Sequence, residues 1–325
     1  MSKVYIIHEN NLWLEPVAKV LNERGIPYES LFMDGGSIDL PEKPAPGVYF
    51  NRMSESSYTR NHPHAPDYTA ALLAWLEAHD AHVINPLPVV RLEVSKVEQY
   101  AKLQKAGFNV PKTVACFGKG DILKKAQKFK PPFILKPNRG GKGIGIQLIQ
   151  SHQILADYLN HEDYTGSVDD IMLIQEYIAA PDSTITRMEF IDSKFVYAVR
   201  VDTTQGFELC PAEACRTDAP AKANERCAID ADEGLFRIFE KFDDPIAPNI
   251  GGFLAENKIS VAGVEFVRDR NSVIYIYDIN TNTNYNPEAE KKAGKFAIPI
   301  LADYLQSELR KSGENTAGKT DRRVA

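Results

Sequence analysis

No stretch of this sequence comes near the roughly 20 apolar residues that a membrane-spanning helix needs. The first residues, Met1-Ser-Lys-Val-Tyr-Ile-Ile7, enter a strand directly, without the charged and apolar regions of a secretory leader. Cysteine is scarce: Cys116, Cys210, Cys215 and Cys227 are the only four in 325 residues. They form no CxxC and match no zinc spacing, so reduced thiols of a cytoplasmic protein are expected. An excess of positive charge is also missing. With 38 basic and 44 acidic residues the net charge is −6, which argues against a nucleic-acid partner. No G-x-G-x-x-G follows the first strand, and no glycine loop ends in Gly-Lys-Ser/Thr, so two common nucleotide fingerprints are absent. His62 and His64 stand two apart in a Pro-rich loop with no third ligand near them, and read as surface residues.

What is present is an ordinary globular balance of 43% hydrophobic and 25% charged residues, enough for two or three subdomains. Over the first ninety residues strand and helix patterns alternate. Strands are expected at Lys3–His8, Tyr28–Met33, Val48–Phe50 and His82–Asn85, with helices at Leu14–Arg24 and Tyr68–His79. Such alternation predicts a small parallel sheet covered by helices. Arg52 follows the third strand, at the strand end where open α/β sheets bind ligands. A helix is expected over Leu92–Gly107, and a second α/β unit after Val110-Pro111. Two long strands, Ser183–Ile191 and Lys194–Asp202, read as a hairpin. A helix at Glu233–Phe242, a second hairpin and a closing helix at Phe296–Lys311 follow, and the polar tail from Ser312 has nothing to bury.

Two segments carry chemistry. The first is Ile134-Leu-Lys-Pro-Asn-Arg-Gly-Gly-Lys-Gly-Ile-Gly-Ile146. Lys136 precedes a loop containing Gly140, Gly141, Gly143 and Gly145, set between two strands. Its backbone N–H groups can fold around phosphates, with Lys136, Arg139 and Lys142 adding charge. The second is the late hairpin, Val264-Glu-Phe266, a turn at Asp269–Ser272, and Val273-Ile-Tyr-Ile-Tyr-Asp-Ile-Asn280. A closed four-residue turn would set Glu265 opposite Ile276, and the period of two then places Asp278 and Asn280 on Glu265's face. Two carboxylates and a carboxamide on rigid strands are hard oxygen donors that suit Mg²⁺. Read alone, each segment also has a plain structural explanation, a glycine-rich turn and a solvated edge hairpin.

In order along the chain stand Ser95-Lys96 at a helix start, Lys136 before the glycine flap, Ile174-Gln-Glu-Tyr-Ile178, and the Glu265/Asp278/Asn280 hairpin. In this combination the sequence resembles the ATP-grasp superfamily, and within it the RimK-like α-L-glutamate ligases. The resemblance reaches to about Leu309. It implies an α/β (α+β) ATP-grasp fold. A Rossmann-like pre-ATP-grasp domain would span 1–91, a central lid 92–172 and a catalytic subdomain 173–312, with a disordered tail at 313–325. It further implies ATP and Mg²⁺, two ions or Mn²⁺ in their place. Lys96, Lys136, Gly140, Gly141, Lys142 and Gly143 would face the phosphates. Gln175, Glu176, Tyr177 and Ile178 would border the adenine, and Asp182 would lie near the ribose. Arg187 and Arg200 would face the phosphate and acyl intermediate, and Glu265, Asp278 and Asn280 would hold metal.

The activity so implied is ADP-forming carboxylate–amine ligation through an acyl phosphate. Its substrates would be small-molecule carboxylates and amines, or a peptide or carrier-protein terminus, and the enzyme a dimer or tetramer. That chemistry brings two anions together, and metal ions with Lys and Arg residues offset the repulsion. Two rivals stay open: an inactive ATP-binding interaction module, and a phosphotransferase that stops at a phosphorylated product. Departures fall on the acceptor side. Asn280 is followed by Thr-Asn-Thr-Asn-Tyr-Asn-Pro instead of a small-Pro-Gly turn, and Phe207–Arg216 replaces a basic-Gly-Gly run. Arg52, Glu213, Arg216, Asn284 and Asn286 are therefore the candidate substrate contacts.

Overall fold

The computed structural model describes residues 2–141, 143–162, 164–204 and 235–321, with side chains as far as Gly313. Its first unit is a parallel sheet in the order β2-β1-β3-β4, made of β1 (Lys3–His8), β2 (Tyr28–Phe32), β3 (Gly47–Asn51) and β4 (His82–Ile84). β1 and β3 are almost wholly buried, as expected of central parallel strands covered on both faces. Helix α1 (Asn11–Glu23) starts where Asn10 accepts the Trp13 amide at 3.3 Å, a side-chain cap for an otherwise unpaired N–H. A 3₁₀ turn (Glu55–Arg60) follows β3, and α2 (Ala65–Ala78) covers the other face.

The single helix expected over 92–107 is two, α3 (Leu87–Glu93) and α4 (Lys96–Lys105). Ser95 is extended between them, and its hydroxyl accepts the Glu98 amide at 3.3 Å. The local Ser-x-x-Glu cap wins over continuing the helix. The second sheet runs β5-β8-β6-β7, from β5 (Thr113–Phe117), β6 (Phe133–Pro137), β7 (Gln147–Ile149) and β8 (Ile171–Glu176). Helices α5 (Ile122–Ala126) and α6 (His152–Asn160) pack with it around Phe133 and Leu135. β8 pairs with both β5 and β6, so a division at 172/173 would cut through a strand.

The third sheet is antiparallel, β11-β10-β9-β12-β13. Its strands are β9 (Thr184–Ile191), β10 (Lys194–Asp202), β11 (Phe236–Ile238), β12 (Val261–Arg268) and β13 (Ile274–Asn280). Where a helix was expected at Glu233–Phe242, β11 pairs with β10 instead. Its register puts Phe236 and Ile238 opposite Val201 and Val199, so sheet pairing overrides the local pattern. Residues 233 and 234 lie outside the described set. α7 (Ile246–Glu256) packs on one face of this sheet; α8 (Pro287–Ala293) and α9 (Ala297–Asp321) pack on the other. α9 also lies against β1 and β3, and joins the first and third sheets in one core. Its backbone stays helical to Asp321, past the expected start of a disordered tail. A turn of established helix is cheap to propagate.

Candidate functional site

β13 is an edge strand, and α4 covers its edge. Gln99 grips Ile279 from both sides, its carbonyl accepting the Ile279 amide at 3.0 Å and its NH₂ donating to the Ile279 carbonyl at 2.9 Å. The Tyr100 hydroxyl donates to the Tyr277 carbonyl at 2.8 Å. These bonds fix the start of α4 against the strand and bring Lys96 Nζ to 2.6 Å from Asp278 Oδ1. Burial opposes the Lys96 charge, but Asp278 and Glu55 outweigh it and hold the ammonium above its ordinary value.

The hairpin register differs from the expected one. Glu265 lies opposite Asp278, not Ile276, because a bulge leaves Tyr277 as an extra residue between Ile276 and Asp278. The shared face survives: Gly263 pairs with Asn280, so Glu265, Asp278 and Asn280 stand along one side. All three line one cleft. Arg187 reaches the same face from β9, opposite Glu265. Its Nη1 donates to Glu265 Oε1 at 2.7 Å, its Nε to Glu189 Oε1 at 2.6 Å, and its Nη2 to Thr283 Oγ1 at 2.6 Å. Burial works against this guanidinium, yet Glu189 and Glu265 keep it firmly charged. Gly263 leaves the room it needs, since a Cβ there would lie 2.5 Å from Arg187 Nη2.

Lys136 completes the charged middle of the cleft. It is 3% exposed, and its Nζ donates to Tyr100 Oη at 2.6 Å between the rings of Tyr100 and Tyr277. Burial, and after it the charge of Lys96, lowers its ammonium to about 7. Gln175 supports the same phenol from β8, donating to Tyr100 Oη at 3.1 Å. Beyond these groups the wall turns apolar, with Ile134, Ile146, Ile185 and Val267 beside Gln175–Ile178. Glu176 lies on this wall while its Oε1 accepts the Lys112 amide at 2.7 Å.

The glycine flap arches over the cleft. Gly143 lines it and, like Gly145, has φ +76°, a conformation that favours glycine. Gly140 packs on Pro137 and Tyr58, and a Cβ on Gly141 would lie 2.4 Å from Glu55 Oε1. The flap therefore rests on the turn after β3. Lys142, Glu213, Arg216, Cys210, Cys215 and Cys227 lie outside the described residues; Cys116 is a buried free thiol.

Four expected contacts take other places. Arg200 lies opposite Thr186, one residue out of step with Arg187 opposite Val199, so the two arginines leave the sheet on opposite faces. It pairs at 2.5 Å with Asp182 at the surface, and neither is on the cleft wall. Arg52 is buried behind the wall, where Nη1 donates to the Trp13 carbonyl and Nη2 to the Thr283 carbonyl and Asn284 Oδ1, each at 3.1 Å. Burial lowers its guanidinium to about 10. Asn286 is the cap of α8, its Oδ1 accepting the Ala289 amide at 2.8 Å. Asn284 does line the cleft. Glu55, Glu93, Tyr100, Glu189 and Tyr277 were not foreseen, and Asn282 and Thr283 only as part of the acceptor-side stretch after Asn280. Glu55 could have been marked by its place after β3, as Arg52 was.

The donor set suits a hard cation. Glu265 and Asp278 each have one oxygen held by a cationic side chain, and Asn280 adds a carboxamide. Among the described residues no three His, Cys, Asp or Glu side chains form a metal cluster, so other oxygens would complete the sphere.

The fold is one shared with solved ATP-grasp structures. The RimK domain ATP-grasp protein of Sphaerobacter thermophilus superposes with TM-score 0.64 at 14% identity, covering 93% of this chain and 99% of that one. The ATP-grasp ligase PsnB, solved with a phosphomimetic variant of its minimal precursor, Mg and ADP, superposes at 0.64 and 14%, covering 95% and 99%. Residues 94–208 match the RimK-like ATP-grasp domain. The α-aminoadipate–LysW ligase LysX of Sulfurisphaera tokodaii is 28% identical over 156 residues, 46% of this chain and 55% of that protein. The chain spans about half the length of the curated relatives it matches. No helix among the described residues is long and apolar enough to cross a membrane.

Proposed function

We propose that the protein is an ATP-dependent, ADP-forming carboxylate–amine ligase. The observation that carries this reading is the sequence of environments along one cleft. An apolar end beside Gln175–Ile178 gives way to Lys96, Lys136 and Arg187 facing Glu265, Asp278 and Asn280, and then to a polar end at Glu55, Asn282 and Asn284. A nucleotide fits the first two, with the base against Ile134, Ile146, Ile185 and Val267 and the phosphates toward the cations. Asp182, paired with Arg200 outside the wall, is not needed for this reading.

Lys136 supports the phosphate assignment on physical grounds. A buried ammonium held near neutrality is charged more fully when an anion arrives, so it responds to a phosphate and not to water. Arg187, clamped by Glu189 and Thr283, presents fixed positive charge with no reorganisation. Glu265, Asp278 and Asn280 would hold Mg²⁺, which when bound offsets the charge of the transferring phosphoryl group. A substrate carboxylate then attacks the γ-phosphate, releasing ADP and giving an acyl phosphate; an amine displaces phosphate to leave an amide. The flap over Gly143 would keep water from the acyl phosphate. ATP as co-substrate fits a cytoplasmic reaction.

LysX acts on α-aminoadipate and LysW, and PsnB was solved with a precursor, by their own names. We take from them only the class of substrate, a small amino acid or a peptide terminus. ADP release over a matrix of carboxylates and amines, with mass spectrometry of the products, tests the proposal. ADP that appears only when both are supplied, together with an amide product, supports it. ADP release without an amine requirement points to a phosphotransferase, and no release with any pair points to a binding module.

A further inference from the structure

The polar end of the cleft is walled by three elements. Glu55 comes from the turn after β3, Glu93 from the end of α3, and Asn282 from the loop after β13; all three line the cleft. Glu55 is 5% and Glu93 3% exposed. Burial, then Glu93, holds the Glu55 carboxyl well above the usual carboxylate range. Glu93 is an acceptor in its own right: its Oε2 takes the Thr281 amide at 2.6 Å and the Thr281 hydroxyl at 2.7 Å. Those bonds set the loop 280–284 so that Asn280, Asn282 and Asn284 face the cleft, while Thr281 and Thr283 are 2% exposed behind it.

Asn282 Oδ1 is buried and finds no hydrogen-bond partner among the described residues. Of the cations by this wall, Lys96 is held by Asp278, and Arg52 by the Trp13 and Thr283 carbonyls and Asn284. The wall thus offers acceptors, two of them buried carboxyl groups and one a carboxamide oxygen in want of a donor. A ligand carboxylate would add acceptors to acceptors. A primary ammonium brings three N–H donors from one atom, and leaves none of these oxygens unpaired.

We propose that Glu55 and Asn282, with Glu93 behind them, form the seat of the amine substrate's ammonium group, that the Glu55 carboxylate takes one of its protons so that the free amine attacks the acyl phosphate and phosphate leaves, and that Glu55 thereby selects a primary amine as acyl acceptor. This rests on the ligase reading, and deepens it by naming what enters from the side of the first sheet. The seat also lies under the flap, since Gly141 packs against Glu55 and Ser56. An amine in place would therefore be covered by the same loop that covers the phosphates.

The test uses the full chain and two probes of similar size, glycinamide, which carries an ammonium, and acetamide, which does not. Binding is read by ligand-observed NMR titration, with and without saturating Mg·AMPPNP. Glycinamide is expected to bind the wild type about tenfold tighter than acetamide. Glu55→Gln is expected to reduce glycinamide to the acetamide level. Asn282→Leu, which keeps both carboxyl groups, is expected to cost glycinamide a smaller factor, and it carries the test if Glu55→Gln does not fold. Equal binding of the two probes by the wild type, or unchanged glycinamide binding in Glu55→Gln or in Asn282→Leu, would overturn the proposal. Failure of Mg·AMPPNP to bind would count against the ligase reading instead, and the glycinamide preference can be read without it.

Discussion

The two ends of the charged cleft are built in different ways. At the phosphate end, Arg187, Glu189, Glu265 and Asp278 stand on paired strands, and α4 delivers Lys96 through bonds to the backbone of β13. Every charge there has a fixed partner. At the acceptor end, Glu55 sits on a 3₁₀ turn, and Asn282 and Asn284 on a loop held from behind by Glu93, Arg52 and Arg187. The first end is over-determined by sheet pairing. The second depends on a few long-range hydrogen bonds, and can change without unfolding the sheet.

Asp278→Asn should break the phosphate end most severely. Turnover is expected to fall by about 10²–10³-fold, the size seen when one preorganised electrostatic contact is removed. The rise in Tm given by Mg·ATP should vanish with it, whereas unchanged turnover would defeat the metal assignment. Next is Arg187→Met, which strands the buried Glu189 and Glu265 carboxylates. Breaking a buried pair of this kind costs about 3–5 kcal/mol, to be measured by urea unfolding; a loss below about 1 kcal/mol would place Arg187 with ordinary surface pairs.

Lys136 should give a titration effect. Its folded value of about 7 lies below the 10.5 of an unperturbed lysine. Between those values the unfolded chain holds the extra proton, so this group's cost to stability shrinks as pH rises from about 7 toward 10.5, and is constant below 7. Arriving phosphates should raise the value again. Mg·ATP binding at pH 8 is then expected to take up a proton, detected by calorimetry in buffers of different ionisation enthalpy and absent in Lys136→Met. The smallest effect belongs to Arg200→Met. Its exposed pair with Asp182 contributes less than about 1 kcal/mol, and turnover should stay at the wild-type level. A large loss of turnover would return Arg200 to the site.

The contrast between Arg187 and Arg200 shows how far the sequence could be read. Both lie in strands that were legible from alternation, and both strands formed within a residue of the expected bounds. Facing, however, depends on register, and a step of one residue sends a side chain to the other side. The same limit explains the hairpin. The period of two grouped Glu265, Asp278 and Asn280 correctly, but the bulge at Tyr277 carries no sequence mark and changed which residue faces Glu265. Arg52 was placed rightly at a strand end, but its donors serve the Thr283 and Trp13 carbonyls across 231 and 39 residues. No local pattern encodes contacts of that span. Glu55 went unseen for the same reason, since its meaning comes from Glu93 and Gly141, which the fold alone brings beside it.

The most direct measurement is a crystal structure of the full chain with Mg²⁺ and AMPPNP. The expected result has the adenine between Ile134, Ile146, Ile185 and Val267, the phosphates on Lys96 and Lys136, and Mg²⁺ on Glu265 and Asp278. A nucleotide bound elsewhere, or phosphates out of reach of Lys136, would contradict it.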